Sequence, residues 1–206
     1  FVGSSMASKA VSEVSICNMA ISNCGGSPIE SITENSTEAK QCNTWFTFAR
    51  RQALEAYDWS FARRRLTLAT HSDAEPDGVW SYRYQYPSDC VMFRKIQNPE
   101  GDIADPVPFE IETDDAQITK SILTDLDDAI GVYTFDLTDT TLFPSHFIIT
   151  FSYALAARIS FAITGKVELS EIMDKKFNDS ILLASASNAN EQMRPPPRDA
   201  DWIRNR

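Results

Sequence analysis

Glycine is scarce in this chain, 7 in 206 residues. Phosphate-cradling loops need closely spaced glycines so that backbone amides can approach an anion, and neither a P-loop nor a dinucleotide-binding pattern occurs. Histidine is scarcer still, with His71 and His146 alone. Neither stands in a motif with a carboxylate or cysteine, and there is no Gly-x-Ser-x-Gly, so the common nucleophile-and-base arrangements of hydrolases have no visible members. His146 is expected to be a hydrogen-bonded structural residue in the first turn of an apolar helix. The four cysteines, Cys17, Cys24, Cys42 and Cys90, form no CxxC pair, which argues against a structural zinc. Buried free thiols are expected instead, because a chain with a full core needs no disulfides.

Basic charge is also short: 19 Lys and Arg against 29 Asp and Glu leave a formal net charge of -10. Gripping duplex DNA requires an excess of phosphate-neutralising cations, so DNA is expected as a neighbour and not a ligand. No charged-then-apolar leader opens the chain, so no secretion signal is expected, and FVGSS ahead of Met6 reads as foreign to a natural start at MASKA. The most apolar run, Phe147 to Ile163, is interrupted by Ser152, Arg158 and Ser160. It is expected to be too short to span a bilayer comfortably and to form a buried helix, with no membrane partner.

What the chain does have is enough apolar content, 43%, for one good core. Val11, Val14, Cys17 and Ile21 recur at spacings of three and four, predicting a helix over 8–22 that CGGSP ends. A second helix is predicted over 37–57, where Ser36 precedes a stripe of Ala39, Cys42, Trp45, Phe46, Ala49, Ala53 and Leu54. From Leu66 the period changes to short β-branched and aromatic runs: LTLAT, WSYRYQYP, CVMFRKI, PFEIET, ITKSILT and GVYTFDL. Helices return over 144–164 and 168–189. The pattern predicts an α+β fold. Its core, residues 6–190, is a four-helix bundle-like body with a small, mostly antiparallel β-sheet inserted at 66–136, followed by an extended C-terminal arm at 191–206.

Between Glu100 and Asp139 stand twelve acidic residues and one basic, Lys120. Asp125, Asp127 and Asp128, with Asp114 and Asp115, could be imagined as a metal site or a glycosidase pair. TDLDDAIG lacks the order of a calcium loop, however, and reads better as a solvated hairpin turn. Arg63, Arg64 and Arg65 follow Trp59 and Phe61. Two readings stand level: cations at a capped helix exit, or arginines that pair with the acidic face of an adjacent copy.

The chain closes on EQMRPPPRDADWIRNR. Three prolines favour a stiff extended segment. Beyond them Trp202 and Ile203 are apolar anchors, flanked by Arg194, Arg198, Arg204 and Arg206, and tryptophan and arginine dominate interface energies. The alternative for any chain end is a frayed terminus.

Three stretches carry a resemblance: Ala-Arg-Arg…Tyr-Asp-Trp-Ser-Phe-Ala at 49–62, Tyr-Pro-Ser-Asp-Cys at 86–90, and Phe-Pro-x-x-Phe…Ala-Leu-Ala-Ala at 143–157. With them, roughly residues 10–190 resemble the tail tubular protein A family, the head-to-tail adaptor (connector) proteins of podoviruses, the short-tailed bacteriophages. The resemblance implies a structural virion protein and not an enzyme. It implies a dodecameric ring of copies between the portal protein and the tail nozzle, tail tubular protein B. DNA passes through its channel as cargo during ejection, and the ring is assembled in the host cytoplasm. On that reading the residues of the C-terminal arm dock on the portal, and Arg63, Arg64 and Arg65 make inter-subunit charge contacts. The alternative from another class is a tail-associated glycan hydrolase using carboxylates of the acidic region.

No cofactor is implied by either the residues or the resemblance. The purified protein is expected to carry no nucleotide, zinc or nucleic acid by absorbance and metal analysis. Tightly bound zinc or nucleotide would overturn the non-enzymatic reading.

Overall fold

The computed structural model describes residues 11–71, 78–101, 105–113 and 119–190. The chain divides into a helical unit, residues up to 62 and 136–186, and a β unit centred on 63–135. The fold is α+β, with four α-helices and two small antiparallel sheets among the described residues.

Helix α1 spans Glu13–Cys24. Ser12 fixes its start: the Ser15 amide donates to the Ser12 hydroxyl, and the Ser12 amide donates to the Ser15 hydroxyl. Gly25 closes it at φ 76°, a left-handed conformation that an L side chain resists. The helix expected over 8–22 therefore starts later, because Ser12 acts as its cap, and it runs on through the buried Cys24. Positions 8–10 lie outside the described residues. Helix α2, Thr37–Ala56, begins at Ser36, whose hydroxyl accepts from the Ala39 amide at 3.2 Å, and it buries Ala39, Cys42, Phe46, Ala49, Ala53 and Leu54.

Helix α3, Ser145–Thr164, packs against both α1 and α2. A helix covered on several sides must be apolar almost all round, and Phe147, Phe151, Leu155 and Ile159 are fully buried. Contrary to expectation its length suffices to cross a membrane, but most of it is covered by protein. Helix α4, Val167–Asn190, buries Met173, Phe177, Ser180 and Ala184, spaced three and four apart. It runs antiparallel to α3: the Ser170 hydroxyl donates to the Ala157 carbonyl at 2.6 Å, and the Lys176 ammonium lies 5.6 Å from the Tyr153 ring.

Each of the six expected β runs holds a strand: β1 Arg63–Thr67, β2 Tyr82–Gln85, β3 Cys90–Ile96, β4 Glu110–Thr113, β5 Lys120–Thr124 and β6 Ile130–Phe135. They form two three-stranded sheets, ordered β1-β6-β3 and β2-β5-β4, and not the single sheet expected. The division falls between β5 and β6. These strands do not pair, so Asp125–Ala129 is a crossover between sheets and the hairpin reading fails. Asp128 sits there at φ 49°, one of the few places where a short polar side chain tolerates the left-handed region.

The two sheets share one core, in which Leu68, Tyr84, Phe93, Ile96, Ile122 and Tyr133 are buried. Gly131 lies where a Cβ would meet Phe93 at 2.7 Å and Leu68 at 2.8 Å, so the core closes over its bare backbone. The β region opens at Arg63, earlier than the expected 66, because Arg63, Arg64 and Arg65 pair in register with Thr134, Tyr133 and Val132.

Trp59 is the largest fully buried side chain. Replacing it with alanine is expected to lower the unfolding free energy by about 3–5 kcal/mol, read from urea denaturation. An unchanged midpoint would show that the aromatic cluster around it does not hold the helical unit together.

Candidate functional site

In the helical unit the exit of α2 and the entry of α3 meet in one aromatic cluster. The chain leaves α2 at Ala56 and makes a single turn of 3-10 helix at Ser60–Ala62, which turns Trp59 inward. Its indole Nε1 donates to the Ala53 carbonyl at 2.8 Å, so burial leaves no orphan donor. Phe147 meets the Trp59 ring edge-on at 5.1 Å, and Phe61 packs against both Phe143 and Phe147. His146 stacks on Trp59 at 5.7 Å, so its structural role rests on ring contact. Beside the cluster Arg50, 5% exposed, donates to Asp136 Oδ1 at 2.7 Å, and Arg51 reaches Oδ2 of the same carboxylate at 3.2 Å. One carboxylate thus gathers two cations from successive residues of α2.

The arginine run lies in β1, which corrects the reading of these residues as cations at a helix exit. Arg64 makes a salt bridge with Asp89, and its guanidinium lies 3.8 Å from the centroid of the Phe135 ring. The Tyr133 hydroxyl donates to the other Asp89 oxygen at 3.0 Å. Burial, and then the Asp89 carboxylate, push the Tyr133 phenol up to about 12, so it stays a donor at neutral pH. Asp89 thereby ties β1 to β6 through side chains as well as through the ladder. Arg65 is exposed on the same strand.

Among the described residues, the aspartates of the crossover make bonds to their immediate surroundings. Asp125 accepts from the Ser81 amide at 2.9 Å and from the Ser81 hydroxyl at 3.0 Å, while Asp127 accepts from the Asp128 amide. These bonds fix a crossover and aim no carboxylate pair at a common point. Asp114 and Asp115 lie outside the described residues, as do Arg194, Arg198, Trp202, Ile203, Arg204 and Arg206. Among the described residues no group of three or more His, Cys, Asp or Glu could hold a metal ion.

The cysteines are free thiols, buried at Cys17, Cys24 and Cys42 and half-buried at Cys90. Burial pushes Cys24 and Cys90 each up to about 11. A hydrogen bond to Cys42, together with burial, holds Cys17 far above the ordinary thiol range. A thiol attacks as its thiolate, so these three are inert at neutral pH. A shallow groove of about 500 Å³ between α1 and α3 is lined by small polar residues with Met19, Ile149 and Tyr153, and holds no charged side chain.

Two residues that organise these clusters, Asp89 and Asp136, stand in no motif that marks them as counter-ions in the sequence. Asp89 stands inside the Tyr-Pro-Ser-Asp-Cys stretch. Asp136 was one of many carboxylates in an acidic segment, and its signal was the arginine on the apolar face of α2, which needs a counter-charge. Compared with models of known protein families the chain matches none, and no curated protein matches it.

A phenol that binds its proton more tightly folded than unfolded adds stability below its ordinary value of 10, lost as the pH rises from there through about 12. Tyr133→Phe is therefore expected to flatten the fall in melting temperature over that alkaline range. Tyr84, also raised by burial, supplies a remaining slope. A Tyr133→Phe profile parallel to that of the parent chain would contradict the Asp89 bond.

Proposed function

We propose that the protein is a head-to-tail adaptor of a short-tailed phage, a structural subunit that forms a ring between portal and tail nozzle and leaves a channel for DNA. The observation that carries this reading joins sequence to geometry. The stretches of the resemblance at 49–62 and 143–157 are separated in the chain by the whole β unit. Yet Trp59 and Phe61 of the first pack on Phe143 and Phe147 of the second. Residues that mark the resemblance are thus residues that build one core, as expected of an assembly subunit whose shared features are architectural.

Charge supports the same reading. A formal charge of -10 gives a surface that repels passing phosphates, so DNA slides without sticking. Arg65 remains exposed on β1, and Arg64 meets Asp89 at the surface, where an ion pair contributes little and exchanges readily for a partner from a neighbouring copy. On this reading carboxylates of residues 100–139 in the next copy face Arg63, Arg64 and Arg65, and steer and register more than they bind.

The portal contact belongs to the C-terminal arm. Prolines lower the entropy lost when an extended segment docks, and a ring of arms multiplies weak contacts. Deleting residues 194–206 is expected to leave the melting temperature nearly unchanged and to abolish assembly on purified portal rings, read by mass measurement with and without the rings. Trp202→Ala is expected to weaken assembly sharply. A truncated chain that still assembles with full affinity would remove the arm from the portal interface, and a full chain that never assembles would remove the adaptor reading.

A further inference from the structure

Two patches of the helical unit carry large apolar side chains that the fold leaves in solvent. On α2 and α3, Phe48 is 54% and Phe161 56% exposed. Trp45 packs edge-on against Phe48 at 5.8 Å, and the Arg158 guanidinium lies 5.9 Å from the Phe48 ring. Arg158 Nη2 donates to the Gln52 side-chain oxygen at 3.2 Å, while its Nε finds no acceptor. Phe161 stands one turn beyond Arg158 on the same face of α3. On α4, Leu182 is 70% and Leu183 76% exposed. Asp179, also exposed, precedes them by three and four positions and so shares their face.

Single exposed apolar residues are ordinary. These differ in kind: a tryptophan and phenylalanine pair with an arginine over the phenylalanine ring has the composition of an interface hot spot, and two adjacent leucines are mostly exposed. Phe161 and the two leucines do not meet within one copy. Because α4 runs antiparallel to α3, with Ser170 at Ala157 and Lys176 at Tyr153, Leu182 and Leu183 lie level with the start of α3. Phe161 lies near its end, about 18 Å away at the helical rise.

We infer that the two patches are the halves of one interface between copies of this chain. Leu182 and Leu183 of one copy pack on Phe48 and Phe161 of the next, and Asp179 faces Arg158. The charges are opposite, and neither has an ion-pair partner among the described residues. Because the patches differ, the contact is head-to-tail, the kind that propagates and closes into a ring if its rotation closes. The inference rests on the ring reading above and supplies the helical unit's part of its lateral surface, beside the charge contacts of Arg63, Arg64 and Arg65.

The test compares the full chain with Phe48→Ser and with Leu182→Ser/Leu183→Ser, all at exposed positions, by sedimentation over a concentration series and by mass on portal rings. Each variant should keep its melting temperature and lose about tenfold or more in self-association. Mixed one to one they should form dimers that grow no further, since each mixed pair retains one intact half of each kind. Arg158→Glu should weaken association, and adding Asp179→Arg should restore it. Dimers that survive in the leucine variant and vanish in Phe48→Ser would mean a symmetric aromatic contact, and would overturn the inference. So would variants that associate as the parent does; if the parent still assembles on portal rings, the adaptor reading stands without this interface. Patch-dependent association with no portal binding would leave the interface and remove the adaptor. A parent chain monomeric both alone and on rings would overturn both.

Discussion

The structure depends on closing a long excursion of the chain. Between Ala62 and Asp136 the polypeptide leaves the helical unit and builds a β unit with its own core. The entropy of bringing the ends of such a segment together grows slowly with its length, and contacts in both units share in meeting it. The β unit meets it by pairing its first strand with its last, Arg63 opposite Thr134. The helical unit meets it with Trp59 against Phe147 and with Arg50 on Asp136. Without these contacts α2 and α3 would be joined only by a long flexible loop, and α3, apolar on nearly every side, would lose the surfaces that cover it.

Charge serves closure in two environments of different strength. Arg50 is buried beside its carboxylate. Desolvating two ions offsets most of their attraction, so such a pair adds little over an apolar pair, yet removing one partner strands a buried charge. That asymmetry fixes where the chain re-enters more than how tightly it folds. Arg64 and Asp89 are at the surface and gain little from each other, but Asp89 is also held by a phenol that remains protonated through the neutral range. Each half therefore keeps a second contact besides the ion pair, Asp89 with the Tyr133 hydroxyl and Arg64 with the Phe135 ring.

Much of the architecture was legible from periodicity. All four helices and all six strands were signalled, because apolar spacing and serine caps act within a few residues of one another. The division into two sheets was not legible. TDLDDAIG has the composition of a turn, and whether a turn folds back on its neighbour or crosses to another sheet is decided by side chains such as Ile122 and Tyr133 that meet at long range. The arginine run misled for a related reason. Three consecutive cations look like a helix terminus, but edge strands also carry charge, which keeps other chains from pairing with them. Asp89 and Asp136 are hidden among many carboxylates, since a counter-ion is defined by a partner distant in sequence.

Rigidity links the fold to the proposed assembly. A closed ring of identical copies fixes the rotation between neighbours, so the helices that carry the two halves of the lateral contact must hold a constant angle to one another. Helix α3 is suited to this, because α1 and α2 pack on it and its Ala157 carbonyl accepts from Ser170 of α4. Close-packed interiors deform little, and the angle is thereby set inside each subunit before any neighbour arrives. The contact itself then need not be strong. An interface of a few aromatic and leucine side chains with one charge pair is weak for two copies in solution and sufficient for many copies held side by side on a template, where every new subunit meets its neighbour at high effective concentration. A subunit built in this way would keep its exposed apolar patches tolerable while free and use them only when assembled, which reconciles an acidic body with leucines and phenylalanines left exposed.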